Sequence, residues 1–365
     1  MRRKWLVRAA IVLAVALLVA VGLWRGIHHR ADLRTLVVRH PERVMGTTCT
    51  LAAVVEPRRK AEAERTLKEA EAALRAVEAH MSIWLADSEI SRLNAAPAVK
   101  EVALSPDTAV VLQSARDAAE ETGGAFDITC GPVIELWKRA GQVGRLPSEA
   151  EIADARQASS WELIALTQRA AVKRASAARV DLGGIAKGYA VDRAVGILQG
   201  AGLTGGVVDV GGDMRCFGLP PKGSAWEVDI KDPFEEGVMT VLQVRSGAVC
   251  TSGNYARFTV IEGERYSHIV DPRSGRPAEA VPSVTVVAAD ALTADVWASA
   301  LSVLGEQGFA LLPEGVDALM VAGSQNDYQL LCTANFARLL AQPVPGRLRI
   351  WEMQKAEKAA VGAAP

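Results

Sequence analysis

Apolar positions along this chain change period several times, and each change marks an element. From about Arg59 to His80, Leu67, Ala70, Leu74 and Val77 recur at helical spacing while charges fill the other face, which predicts one long amphipathic helix. A strand starting near Val44 precedes it. Ser105-Pro106 supplies an N-cap with proline at the first helical position, and Gly123-Gly124 is a stop, so a second helix lies between them. Ser148-Glu149-Ala150-Glu151 matches a capping box. Short β-type runs follow at Glu162–Leu166, Val207–Val210, Trp226–Ile230, Thr240–Val244, Phe258–Ile261 and Ser283–Val287. A helix from about Thr293 to Leu304 comes next, then a strand pair near Asp317–Val321 and Gln329–Cys332. Helices and strands cluster rather than alternate strictly, which predicts an α+β fold and not a doubly wound parallel sheet.

The N-terminus follows a different pattern. Trp5–Trp24 is apolar or glycine except for Arg8, and about 20 helical residues span roughly 30 Å, the thickness of a bilayer core. A cleaved signal peptide has a shorter apolar part, about 7–15 residues. Residues 1–30 therefore read as an uncleaved single-pass anchor, 31–43 as a linker, 44–345 as the main domain and 346–365 as a tail. Arg2, Arg3 and Lys4 favour keeping the short leading segment in the cytoplasm. The expectation is an inner-membrane protein whose main domain faces the periplasm or cell exterior.

Composition narrows the function only by exclusion. Hydrophobic residues make up 50% of the 365, which rules out disorder along most of the chain. The 41 Lys+Arg against 42 Asp+Glu leave a net charge of −1 and remove the electrostatic signature of a nucleic-acid binder. The five cysteines contain no Cys-x-x-Cys pair, which speaks against a zinc ribbon or thioredoxin-like motif and leaves them as small core residues.

Three strings carry candidate chemistry. Val180–Asp192 reads as a strand end, a Gly183-Gly184 turn and a helix start, with Lys187 in the first turn within reach of an anion held by backbone N–H groups. In Ala289–Leu301, Asp295 and Ser299 stand four apart on one helix face, and two hard oxygens there suit Mg²⁺. In Tyr266–Gly275, His268 precedes an Asp-Pro turn. The other four histidines lie far upstream, so His268 is the candidate general base. Each string also has an ordinary structural reading: a turn with a surface lysine, an amphipathic helix start, a satisfied histidine.

Taken together and in order, several strings resemble the FAD:protein FMN transferase (ApbE-like) family. They are Met45-Gly46-Thr47, Met81–Trp84 with Asp87-Ser88, Ala125-Phe126-Asp127, Asp181–Asp192, Gly211-Gly212-Asp213, Thr251-Ser252-Gly253, His268–Gly275 and Ala294–Ala300. The resemblance implies a duplicated T-fold-like two-layer architecture with an FAD cleft between its halves. It implies an FAD site lined by Met45, Trp84, Ala125, Phe126, Asp127, Asp181, Lys187 and Ile269. It places Mg²⁺ on the Gly184 carbonyl, the Asp295 carboxylate and the Ser299 hydroxyl, with Ser299 standing where the family usually has Thr. Asn254 likewise replaces a common Asp, and the family's frequent lipid-anchor cysteine is missing, leaving the apolar run to anchor the chain.

The implied reaction is attack of a Ser or Thr hydroxyl of an acceptor redox protein on the FMN phosphorus of FAD, with AMP leaving and His268 as proton acceptor. Two other outcomes share these residues: an Mg²⁺-dependent FAD pyrophosphatase that releases FMN and AMP, and a membrane-tethered flavin-binding protein without turnover.

Overall fold

The computed structural model describes residues 34–254, 258–344 and 346–352, together with positions 17 and 19. The expected membrane anchor therefore lies outside the described residues except at those two positions. Among the described residues, no helix is long and apolar enough to cross a membrane.

Nine strands form one sheet whose spatial order is also the chain order. They are β1 (Thr35–Arg39), β2 (Cys49–Val55), β3 (Gly206–Val210), β4 (Asp213–Phe217), β5 (Gly247–Gly253), β6 (Ser283–Ala288), β7 (Asp317–Ser324), β8 (Asp327–Cys332) and β9 (Leu348–Ile350). Every neighbouring pair is antiparallel except β8 and β9, which run parallel. Such a sheet fits the α+β expectation.

Seven helices matter to the site: α1 (Lys60–Met81), α2 (Glu89–Ala95), α3 (Pro106–Glu121), α4 (Gly131–Val143), α5 (Glu149–Gln157), α6 (Ala186–Gly200) and α7 (Ala291–Leu304). The chain crosses from β2 to β3 through α1 to α6, and from β6 to β7 through α7. Each group of four strands thus has its helical crossover after the second strand.

Helices α1, α6 and α7 cover one face of the sheet. The stripe of α1 read from the sequence, Leu67, Ala70, Leu74 and Val77, is buried there. Helix α7 buries Ala294, Val296, Trp297, Ala298, Ala300 and Leu301, so it is apolar nearly all round and sits inside the layer. In β5, Ala248 and Cys250 face the helices while Val249 faces the other way. In β7, Ala318 and Met320 alternate likewise with Leu319 and Val321. That second face packs against a hairpin of Trp226–Lys231 and Val238–Val244. The two-layer expectation thus describes the helix side, and the hairpin adds a third layer over part of the sheet.

Two expected boundaries move. Thr35–Arg39, within the segment assigned as linker, is the edge strand β1, and Leu348–Ile350, within the assigned tail, is β9. Both are short, so a period-2 signal had only a few positions to register in. The strand expected near Val44 begins at Cys49, because Met45 and Gly46 take positive φ (51° and 75°) and make a turn.

All five cysteines are free and four are buried, in line with the core reading. Burial pushes the Cys49 thiol up to about 12 and Cys332 to about 11, so neither is a ready thiolate.

Candidate functional site

The site is built where α6 meets α7, and one glycine allows that meeting. A Cβ on Gly188 would lie 2.2 Å from the Ala291 carbonyl oxygen and 2.8 Å from Leu292 Cα, both backbone atoms that cannot swing aside. The close crossing lets the Gly188 N–H donate to Asp295 Oδ2 at 3.0 Å. Asp192, one helical turn on, accepts from the N–H groups of Ala291 and Leu292 at 2.9 Å each and caps α7 from outside. Arg215 holds Asp192 in turn at 2.7 Å.

Lys187 projects from the first turn of α6 between two buried carboxylates. Its ammonium pairs with Asp213 Oδ2, at the start of β4, and lies 3.9 Å from Asp295 Oδ1. Asp213 is 2% exposed and Asp295 3%. Burial pushes the Asp295 carboxyl above the usual carboxylate range, while the Lys187 charge and the Gly188 N–H pull it part of the way back. Two carboxylates against one ammonium leave one buried negative charge without a full partner, and a cation would offset it.

The sequence-predicted metal residues converge here. A Cβ on Gly184 would stand 2.8 Å from Ser299 Oγ and 3.2 Å from the Phe126 ring, so the Gly183-Gly184 turn lies directly against α7. Ser252 Oγ on β5 is 3.4 Å from Ser299 Oγ. Among the described residues, no group of three His, Cys, Asp or Glu side chains could hold a metal. A cation here would instead take one carboxylate, one hydroxyl and one carbonyl, a hard-oxygen set that fits Mg²⁺ completed by phosphate and water.

Other predicted residues take defined places around this centre. Asp181 Oδ1 accepts from the Gly183 N–H at 2.8 Å and shapes the turn. Met45, half-buried, belongs to the turn that brings Thr47 against Gly211, where an added Cβ would be 2.7 Å from the Thr47 side chain. Ala125 and Phe126 are buried, Phe126 against Gly184. The Asp127 carboxylate accepts from Thr129 N and Oγ1 at 2.7 and 2.6 Å and from Trp161 N at 3.0 Å, so it is held in place within the chain next to Phe126. Trp84 is 79% exposed on the turn after α1, with the Lys138 ammonium 5.0 Å above its ring.

His268 and Ile269 stand on a separate unit, the hairpins packed on α4 and α5. His268 is exposed at the end of strand Glu264–Ser267, and Ile269 is half-buried, its N–H donating to Ser267 Oγ at 3.0 Å. The following turn is tied down by Trp137 Nε1, which donates to the Gly275 carbonyl at 2.9 Å. Arg273 in that turn reaches Gly124, just before Ala125-Phe126.

Three site residues escaped the sequence reading: Asp213 as the partner of Lys187, Gly188 as the crossing point, and Asp192 as the cap of α7. All three fall inside strings already singled out. A buried acid beside a Gly-Gly strand exit was the available signal for Asp213.

Comparison with known proteins gives one consistent result. The ApbE family profile matches residues 45–320. The FAD:protein FMN transferase of Vibrio cholerae is 30% identical over 305 residues, covering 82% of this chain and 91% of that protein. That of Haemophilus influenzae is 31% identical over 314 residues, covering 83% and 88%. The solved flavin transferase ApbE from Vibrio cholerae superposes with a TM-score of 0.74 at 30% identity, over 84% of this chain and all of that one.

Proposed function

The chain belongs to the ApbE family, and on that premise we propose that it is an FAD:protein FMN transferase. It moves the FMN half of FAD onto a Ser or Thr hydroxyl of an acceptor redox protein through a phosphoester bond, and AMP leaves. The observation that carries this reading is the α6–α7 crossing, which gathers Gly184, Lys187, Asp295 and Ser299 around one buried negative charge.

Met45, Trp84, Ala125, Phe126, Asp127, Asp181, Lys187 and Ile269 line the FAD site in this reading. The exposed Trp84 ring offers a face for stacking, and Lys187 offers a cation to the pyrophosphate. Gly184, Asp295 and Ser299 would hold Mg²⁺, which when bound neutralises charge on the phosphates. His268 takes the proton of the attacking hydroxyl as the bond to phosphorus forms. The four-strand groups, each with its crossover after the second strand, support a duplicated T-fold with FAD between the halves. The apolar Trp5–Trp24 run supports an inner-membrane anchor with the enzyme on the periplasmic or outer side.

Incubating the protein with FAD, Mg²⁺ and candidate extracytoplasmic redox subunits, then weighing the subunits intact, tests the proposal. The expected result is an FMN adduct on a Ser or Thr with equimolar AMP. Steady release of AMP and free FMN, with no adduct on any acceptor, would make the protein a pyrophosphatase instead.

A further inference from the structure

The Lys187 side chain has two buried carboxylates within reach and is shared unequally between them. It pairs with Asp213, whereas Asp295 Oδ1 lies 3.9 Å away and Asp295 Oδ2 is held by the Gly188 N–H. Asp295 Oδ1 is therefore the oxygen left for another cation. An ammonium and a divalent metal compete for the same lone pairs, so whatever restrains Lys187 governs whether Asp295 can bind metal.

We propose that Asp213 is a positioning residue for the metal site: it anchors the Lys187 ammonium on β4 and so keeps Asp295 Oδ1 open to a divalent cation. This inference rests on the metal reading given above. Asp213 is well suited to the task. It is nearly fully buried, and it opens a central strand whose register with β3 pairs it with Val210. The Gly211-Gly212 turn beside it is pinned by the Gly212 N–H donating to Asp209 Oδ1 at 2.9 Å. Lys187, by contrast, is a long side chain that can re-aim. Without Asp213, Asp295 is the remaining buried carboxylate in contact with the ammonium, and leaving that charge unpaired is costly enough to draw the two together. The charge count agrees. The wild-type cluster of Lys187, Asp213 and Asp295 sums to −1, Asp213→Asn brings it to zero, and adding Lys187→Met returns it to −1.

Titrating the full-length chain with Mn²⁺ and reading free metal by electron paramagnetic resonance, without FAD, tests the idea apart from catalysis. Asp213→Asn should weaken Mn²⁺ binding ~10-fold or more, since a unit charge at this range in a partly buried site changes affinity by at least that much. Asp213→Asn with Lys187→Met should return affinity to within a few-fold of wild type. Asp213→Glu, which keeps the anchor, should stay near wild type, and Lys187→Met alone should bind Mn²⁺ at least as tightly. Should Asp213→Asn fail to fold, these last two variants still decide: weaker binding by Lys187→Met would overturn the proposal. So would wild-type affinity in Asp213→Asn, or a double variant no better than the single one. A wild-type chain that binds no Mn²⁺ would remove the metal reading itself, and this inference with it.

Discussion

At the scale of single residues, Asp295 and His268 separate two duties, one electrostatic and one of proton transfer. Asp295 is the only charged protein ligand proposed for the metal, and its second oxygen is already held by Gly188. Asp295→Ala should therefore abolish Mg²⁺-dependent turnover, whereas Ser299→Thr keeps the hydroxyl oxygen and should be nearly silent. Activity of both variants measured at limiting Mg²⁺ checks this, and an active Asp295→Ala protein would withdraw the assignment. His268 is exposed at the end of the strand Glu264–Ser267, a position open to an incoming protein hydroxyl. A base acts mainly in the transition state. His268→Gln should bind FAD with near-normal affinity yet transfer FMN at least ~10²-fold more slowly, the usual scale for losing a positioned base. FAD titration paired with acceptor labelling at saturation distinguishes this from a binding role, which would weaken the complex and spare the saturated rate.

At the scale of elements, helix contacts decide whether those residues meet. Gly188→Ala puts a methyl group into the backbone of α7, and overpacking of this kind typically costs about 1–3 kcal/mol. Denaturant unfolding should show that loss, together with a larger fall in activity, because the Gly188–Asp295 hydrogen bond moves with the helix. A second junction gathers three helix ends on Glu89. Its carboxylate takes His80 Nδ1 at 2.7 Å from the end of α1, and Ser105 N and Oγ at 2.9 and 3.1 Å from the start of α3. Burial pushes the Glu89 carboxyl up, but hydrogen bonds from Thr108, Ser105 and His80 outweigh it and hold the group below the ordinary 4.5. A depressed folded-state value means the stabilisation is complete above the unfolded pKa and drains away as pH falls through the folded one. Glu89→Gln should cost about 2 kcal/mol at neutral pH, the scale of a charge-assisted hydrogen bond. The gap from wild type should close as the pH drops below 4.5, read by urea unfolding across that range.

Much of this was legible because it is local. Caps at Ser105 and Ser148, the α1 stripe and the Asp295–Ser299 spacing are set within a few residues of chain, and the structure reproduces them. Helix α4 went unread: it starts from Cys130 with no side-chain cap, and only Val133, Leu136, Trp137 and Ala140 mark its buried face. The Lys187–Asp213 pair and the Gly188–Asp295 crossing join residues 26 and 107 positions apart. No periodicity reports such contacts. The internal engagement of Asp127 was hidden for the same reason, since one of its partners, Trp161, lies 34 residues away.

At the scale of the whole molecule, the question is where the folded enzyme begins. Strand β1 answers it. Five residues pair with β2 from Thr35↔Val55 to Arg39↔Leu51, Val37 is buried beneath α1, and Arg39 forms an ion pair with Glu71 of that helix. Removing β1 would bare the edge of β2, a strand buried along nearly its whole length and so a ready template for aggregation. A variant beginning at residue 31 should therefore keep wild-type turnover and a Tm within ~2 °C, because nothing in the sheet is lost. It should also move from the membrane pellet to the soluble fraction, if Trp5–Trp24 is the anchor. A variant beginning at residue 44, the boundary that the sequence pattern alone suggests, should unfold at a much lower temperature or collect as aggregate. In the full-length chain, protease added to intact spheroplasts should digest the domain while cytoplasmic markers survive. Protection until lysis would reverse the orientation and require the acceptor hydroxyl to be met on the cytoplasmic side, while the β1 boundary would stand unchanged.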